Sequence, residues 1–354
     1  MARRGENIYK RKDGRWEGRC RAANSKYRSV YGKTYQEVKQ KLTTLKASQE
    51  TTVSSGRLTF GEICAEWFSA VKLRVKESTL ANYRMKAERH ILPEFGVMRY
   101  EMLTAAAVHE FIAKKLNAGL SAKYICDIVA VLRSVTRYAA KVHGFTDKLA
   151  DLTLPRVQKK ETKILDVRQQ ETLCRYLRQH MDRTALCILL SLYTGLRIGE
   201  VCGVMWSDID LEKRTLTVRR TVQRIAVQGG GTRLVIGTPK SLTSRRTIPL
   251  PPFMAELLKS RRAEGYVLTG KDKPAEPRTL QERFRRILRK IGLPKVNFHS
   301  LRHAFATNCV RAGFDVKTLS EILGHANVTT TLNRYVHSSM EQKIRCMELL
   351  RPAG

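Results

Sequence analysis

The period of the apolar residues changes twice along this chain of 354 residues, and at each change the sequence turns small, polar or basic. Near the start, apolar and polar side chains alternate with a period of two, as in strands with one buried face. Ile8 to Lys10, Arg15 to Arg21 and Tyr27 to Tyr31 read as three strands, with Asp13-Gly14 as a two-residue hairpin turn. Thr34 and Glu37 make a capping box, and Val38, Leu42 and Leu45 behind it keep helical spacing. After the small polar stretch Thr51 to Gly56 the spacing becomes helical. Thr59 to Leu73, Ser78 to Ile91, Thr104 to Leu116 and Ser121 to His143 carry apolar residues three and four apart, with Ser78 and Ser121 as N-caps. A second break, Pro155 to Thr162, holds Arg156, Lys159 and Lys160. Beyond it helices alternate with strand-rich stretches, Thr215 to Ile225, Leu234 to Ile236 and Thr247 to Pro249. The expected fold is therefore multidomain. A small N-terminal three-stranded sheet plus helix occupies 1–50, an all-helical domain 57–154, and a mixed, mainly α domain with a small antiparallel sheet 163–354.

Hydrophobic residues make up 42% of the chain, enough for real cores, but 66 Lys and Arg stand against 32 Asp and Glu, a formal charge of +34. Such a chain repels itself unless a polyanion is near. The usual polyanion is nucleic acid, whose neutralised phosphates release counterions. A ribosome-like or membrane-surface protein has the same balance, so charge alone does not choose. No apolar run approaches the ~18 residues needed to cross a bilayer, and Met1 to Lys12 is basic without an apolar segment of the secretory kind. Eight cysteines without a C-x-x-C pair read as reduced, mostly buried thiols of a cytoplasmic protein. There is neither a P-loop pattern nor a dense carboxylate cluster for two magnesium ions, so no cofactor is expected.

Several basic residues are candidates for DNA phosphates. Arg11, Lys12, Arg15 and Arg19 lie in the N-terminal unit with Tyr9, Trp16, Tyr27 and Tyr31 interleaved. A sheet with one aromatic and one basic face would fit a DNA groove, while aromatics that pack the sheet on its helix are the competing account. Lys76 and Arg84 belong to a helix whose charge serves phosphates or merely solvates a face. Arg245 and Arg246 adjoin the last strand.

Three clusters near the C-terminus bear chemistry. In Thr194-Gly195-Leu196-Arg197-Ile198-Gly199-Glu200 the apolar run Ala185 to Tyr193 ends at a glycine, setting Arg197 at the edge of a core. A guanidinium offers a phosphate several fixed donors and never loses its charge, although Glu200 is an equally ready ion-pair partner. In His299-Ser300-Leu301-Arg302-His303 helical spacing puts His299, Arg302 and His303 on one face. Histidines four apart also suit zinc, but the H-E-x-x-H pattern is absent and an arginine between ligands repels a cation, so no metal is expected. The third cluster is Leu323-Gly324-His325, then Thr329 to Tyr335, ending Asn333-Arg334-Tyr335-Val336. A lone tyrosine near a C-terminus ordinarily packs; this one follows two clusters suited to a phosphate.

Together these blocks resemble those of tyrosine recombinases, the family of phage and transposon integrases: T-G-L-R-x-x-E, H-x-L-R-H, L-G-H and a terminal R-Y, in that order. The resemblance is firm from Lys163 to about Leu350. The preceding helical segment resembles the family's core-binding (SAM-like) domain more loosely, and the N-terminal unit looks like the arm-binding domain of conjugative transposon and phage integrases. It implies a DNA recombinase that integrates or excises a mobile element through a 3′-phosphotyrosyl intermediate. Arg197 and Arg302 would hold the scissile phosphate, with Glu200 supporting Arg197 from behind. His299 would share the phosphate and manage the proton of the nucleophile Tyr335, and His325 would hydrogen-bond from the other side. Lys240, in Thr238-Pro239-Lys240-Ser241, matches the family's hairpin lysine, a general acid for the departing 5′ oxygen, although Ser241 stands where family members often have Thr.

The implied partners are double-stranded DNA, three further copies of the chain in a tetramer on DNA, and an accessory excisionase or DNA-bending protein. Met340, Ile344, Met347 and Leu350 form an apolar stripe that packs on its own domain or docks on a neighbouring protomer. The rivals to this reading are a type IB topoisomerase-like enzyme, which shares the nucleophile but needs no paired sites, and a non-catalytic DNA-binding regulator.

Overall fold

A computed structural model of the chain describes residues 7–21, 27–44, 58–158, 163–227, 229–238, 245–325 and 327–335, with 344, 347 and 348. The chain divides into two compact units, residues 1–159 and 160–354.

In the first unit, β1 (Ile8–Lys10), β2 (Trp16–Arg21) and β3 (Tyr27–Gly32) form an antiparallel sheet in that order. The β1–β2 loop is one residue longer than Asp13-Gly14 suggested. The Arg11 amide donates to the Arg15 carbonyl at 2.8 Å, leaving Lys12 to Gly14 as the loop, with Gly14 at φ +85°. A three-residue hairpin loop needs a left-handed residue in its last position, which glycine adopts without strain. The helix α1, residues 35–44, packs flat on the sheet because β2 offers it Gly18. A Cβ there would stand 2.2 Å from Leu42 Cδ1. Ile8, Cys20, Val38 and Leu42 are buried between sheet and helix, with Trp16 and Tyr35 edge to face at 5.3 Å.

The strand register sorts the remaining aromatics. Tyr9 pairs with Glu17 and Glu17 with Tyr31, so these three share the open face. Arg19 lies 5.2 Å from the Tyr9 ring and Arg11 5.6 Å from the Tyr31 ring, while Glu17 accepts from both arginines and from Ser29. The bonds from Arg19, then Ser29 and Arg11, hold the Glu17 carboxyl at about 2. Aromatic and basic groups thus occupy one face together instead of dividing two faces.

The helical part runs through α2 (Phe60–Lys72), α3 (Glu77–Lys86), α4 (Leu92–Phe95), α5 (Ala105–Asn117) and α6 (Ala122–His143). Thr59 and Glu62 close a capping box on α2, and Thr104 and Ser121 cap α5 and α6. Ser78 is not a cap, because α3 starts after Lys76 and leaves Ser78 in its first turn. Between α3 and α4 the turn Ala87–Ile91 widens, the Leu92 amide donating to the Ala87 carbonyl five residues back. Pro93 has no N–H for the Arg89 carbonyl, and a widened turn absorbs that missing bond. Phe60, Trp67, Phe95, Phe111, Ile125 and Leu132 are among the side chains of the common core.

The second unit is built around α8 (Arg183–Thr194), which is buried along most of its length and packs against α7 (Val167–Gln179) and α12 (His299–Arg311). A short α9 (Ile198–Gly203) leads to β4 (Ile209–Asp210), β5 (Thr215–Thr217), β6 (Thr221–Ala226), β7 (Thr232–Gly237) and β8 (Thr247–Pro249). The strand-rich stretch Thr215 to Ile225 divides into β5, in the sheet β4-β5-β8, and β6, in the hairpin β6-β7. The break falls at Arg219 and Arg220, where Arg220 Nη1 reaches the buried Asp208 carboxylate at 2.8 Å. Then come α10 (Pro252–Lys259), α11 (Pro277–Lys290), α12, α13 (Val316–Leu323) and α14 (Val328–Tyr335). Among the described residues no helix is long and apolar enough to cross a membrane.

Candidate active site

Two helices of the second unit end in a left-handed glycine, and the site lies where those ends meet. Gly195 closes α8 at φ +66° and Gly324 closes α13 at φ +64°. The last carbonyls of a helix lack partners within it and carry its partial negative charge. At the end of α13 three arginines satisfy them in succession. Arg246 Nε donates to Ile322 O, Arg302 Nη2 to Leu323 O at 2.7 Å, and Arg197 Nη2 to Gly324 O at 3.4 Å. Arg302 Nη1 also donates to Gly195 O at 2.8 Å, so one guanidinium ties both helix ends together. Arg302 is 1% exposed, and its orientation is set by backbone before any ligand arrives.

Gly195 is indispensable for this junction. A Cβ there would lie 2.6 Å from Phe305 Cδ1 and 2.8 Å from Leu323 Cδ2, on a backbone that disfavours one. The expected cost of Gly195→Ala is about 2–4 kcal/mol, from left-handed strain plus overpacking, read as a lowered denaturation midpoint at unchanged m-value.

Arg197 sits at the N-cap of α9, half exposed. Its Nη1 donates to Glu200 Oε1 at 2.9 Å, and its amide to Glu200 Oε2 at 3.0 Å. Glu200 is 3% exposed and also accepts from Arg246, at 3.3 Å on Oε1 and 3.1 Å on Oε2. Burial pushes the Glu200 carboxyl up, but the charge and hydrogen bonds of Arg246, aided by Arg197, bring it below its ordinary value. Two guanidinium groups thus share the Glu200 carboxylate, and Arg302 adds a third positive charge at the end of α13, an excess that suits an anion.

His299 opens α12 one turn before Arg302 and is exposed, its ring edge to face with that of the buried His303 at 4.9 Å. His325 directly follows Gly324; its amide donates to Ser320 O at 3.0 Å, and its Nδ1 lies 2.8 Å from Thr331 Oγ1. Tyr335 is the last residue of α14, four residues or about 6 Å along the axis beyond Thr331. Arg197, Arg302, His325 and the Tyr335 helix are therefore neighbours through named bonds. Lys240 and the stripe residues Met340 and Leu350 lie outside the described residues, while Ile344 and Met347 are exposed.

The candidate DNA contacts divide. Lys12, Arg15, Lys76 and Arg245 are exposed, Arg15 being paired with Asp13. Arg84 is half-buried, 5.5 Å from the Phe68 ring, and Arg11 and Arg19 flank Glu17. Arg246 is corrected: at 9% exposure its guanidinium is committed to Glu200 and Ile322 O, inside the site and not on an outer phosphate. The alternation Arg246, Ile248, Leu250 was the signal, since every second residue there is buried. Thr331 was missed altogether, because a buried threonine in a helix has no local mark.

Residues 163–342 match the model of the phage integrase family, and residues 59–116 that of the phage integrase N-terminal SAM-like domain. A tyrosine recombinase XerC-like protein of Caldanaerobacter subterraneus subsp. tengcongensis is 28% identical over 326 residues, 83% of each chain. The transposase of transposon Tn916 from Enterococcus faecalis is 31% identical over 183 residues, 46% of this chain and 44% of its own. In fold the chain is similar to the Tn1549 transposon integrase in complex with a circular intermediate DNA, with a TM-score of 0.66 at 24% identity, covering 81% of this chain and 99% of that one. It is also similar to a lambda integrase tetramer bound to a Holliday junction, with a TM-score of 0.61 at 19% identity, covering 91% and 96%.

Proposed function

The chain belongs to the phage integrase family, and from that membership we propose that it is a site-specific DNA recombinase whose Tyr335 becomes joined to a DNA 3′ phosphate. The observation that carries this reading is the convergence of Arg197 and Arg302 on the end of α13, with His325 the next residue and the Tyr335 helix bonded to it.

A phosphodiester resists attack because its charge repels nucleophiles and its alkoxide leaves poorly. Arg197 and Arg302 hold the two non-bridging oxygens, and their fixed donors stabilise the charge that grows as phosphorus becomes pentacoordinate. Nearby cations favour the phenolate of a tyrosine, whose ordinary pKa is about 10. His299 shares the phosphate and takes part in moving that proton, and His325 hydrogen-bonds to the phosphate from the opposite side. The Tyr335 oxygen bonds to phosphorus, the 5′ oxygen departs with a proton from Lys240, and the phosphotyrosyl bond conserves the energy of the broken linkage. Attack by a 5′ hydroxyl of another duplex regenerates Tyr335 and completes the exchange without ATP.

Residues 1–50 serve as an arm-type DNA-binding domain, 57–154 as the core-binding domain and 163–354 as the catalytic domain. The partners are double-stranded DNA, a homotetramer assembled on it and an accessory excisionase or DNA-bending protein, at the nucleoid. Incubating the full chain with a nicked duplex that loses its 5′ hydroxyl after cleavage, in a chelator, should trap an adduct on the peptide containing Tyr335. An adduct elsewhere, or none, overturns the reading. Deleting residues 340–354 should abolish strand exchange and leave single-site binding in a mobility-shift assay; undiminished exchange would refute docking of that segment on a neighbour.

A further inference from the structure

The Thr331 hydroxyl is 0% exposed and lies 2.8 Å from His325 Nδ1; among the described residues it has no other hydrogen-bond partner. A threonine hydroxyl has one proton to give and two lone pairs to offer. Were Nδ1 protonated, it would donate to Oγ1 and leave the hydroxyl proton buried without an acceptor, at the desolvation penalty of an unmade bond. The alternative satisfies both groups: the hydroxyl donates to a bare Nδ1. A neutral imidazole with a bare Nδ1 carries its proton on Nε2.

We propose that Thr331 is a positioning residue that fixes His325 as the neutral tautomer with its proton on Nε2, and that the same bond keys the nucleophile helix to the phosphate site. The proposal rests on the recombinase reading above, in which His325 serves a phosphate. A proton on Nε2 makes the ring a donor there, which is what an anionic oxygen requires; the other tautomer would present a lone pair to a negative charge.

The geometry around the bond is built to hold it. Gly324 turns the chain out of α13 in the left-handed conformation, and the His325 amide is bound to Ser320 O at 3.0 Å, so the imidazole leaves a fixed backbone. Asn327, immediately before α14, accepts from the Thr329 amide on its Oδ1 at 2.8 Å. The short connection is thus closed by a covalent path on one side and by the Thr331–His325 bond on the other. Tyr335 stands four residues beyond Thr331, so a helix that slips or rotates breaks the bond before it displaces the nucleophile by a turn. Sequence spacing gives the same relation: His325, Thr331 and Tyr335 follow in order with the donor one turn before the tyrosine.

The test uses the full chain. In a protein labelled with 15N-histidine, with the His325 signals assigned by their loss in His325→Ala, the long-range spectrum should show Nδ1 unprotonated and Nε2 protonated. In Thr331→Val, which keeps the volume and removes the hydroxyl, that single-tautomer pattern should give way to a tautomer mixture. Single-turnover formation of the Tyr335 adduct should slow by roughly tenfold, the worth of one buried neutral hydrogen bond. Thr331→Ser, which keeps the hydroxyl, should restore both the pattern and the rate. In a His325→Ala background Thr331→Val should add little, since the two residues act as one pair. A protonated Nδ1 in the wild type, a Val variant that cleaves at the wild-type rate, or full additivity with His325→Ala would each overturn the proposal. If the wild type makes no adduct at all, the recombinase reading fails by itself, while the nitrogen spectrum still decides the tautomer.

Discussion

Tyr335→Phe should leave DNA binding unchanged and reduce covalent attachment at least about 10⁴-fold, by analogy with the loss that follows deletion of an enzyme nucleophile. The substitution removes one oxygen from the end of α14 and leaves the helix N-terminal to it, including Thr331, as it was. The arginines that neutralise phosphates are untouched, so the dissociation constant and its dependence on salt should stay within a few-fold of wild type. The measurement is a denaturing gel of protein mixed with the nicked duplex, alongside a salt series of the binding constant. A Phe variant that still forms the adduct would place the nucleophile on another residue. One that loses binding and adduct together would give Tyr335 a packing role instead.

Glu200→Gln should have the largest effect on stability. The carboxylate is 3% exposed and is shared by Arg197 and Arg246. The amide keeps the shape and removes the charge, leaving two guanidinium groups facing a neutral partner in a poorly solvated site. Breaking one side of a buried ion pair costs about 3–5 kcal/mol, which for a domain of this size lowers the melting temperature by roughly 10 °C. The sign of the pH dependence follows from the direction of the shift. Burial raises the Glu200 carboxyl, and Arg246 with Arg197 outweighs it, so its folded value lies below the ordinary one of about 4.3. Stability from Glu200 is then fully present above that ordinary value and is lost as the pH falls through the lower folded value. Thermal melts of wild type and Gln variant should converge on acidification and differ most near neutrality. A variant that melts within about 1 °C of wild type at pH 7 would mean that the network carries little of the domain's stability.

Both predictions concern residues that sequence motifs brought forward, yet sequence and structure contributed unequally. The helices with a cap and an apolar stripe were legible: Thr59 and Glu62, Thr104 and Ser121 stand where local hydrogen bonding demands them. Ser78 misled because a serine before an apolar run scores as a cap whether or not the helix has already begun. Asp13-Gly14 was recognised as a turn but not its length, since one more loop residue is set by strand pairing on either side. Thr215 to Ile225 was legible as strand-rich because both β5 and β6 alternate, but the break between them depends on Asp208, which draws Arg220 from outside the stretch.

By itself the sequence determined which chemical groups the chain possesses and in what order: two motif arginines, two motif histidines and a tyrosine, on segments whose helical type follows from their own periodicity. These are local properties, written in residues three or four positions apart. The tertiary structure alone decided that Arg197, Arg246 and Arg302 meet on successive carbonyls of α13, that Arg246 supports Glu200 from within, and that Thr331 faces His325. The physical reason is distance along the chain. Arg302 lies 107 residues from the Gly195 carbonyl it binds, and no local propensity fixes which unpaired helix end a buried guanidinium will satisfy.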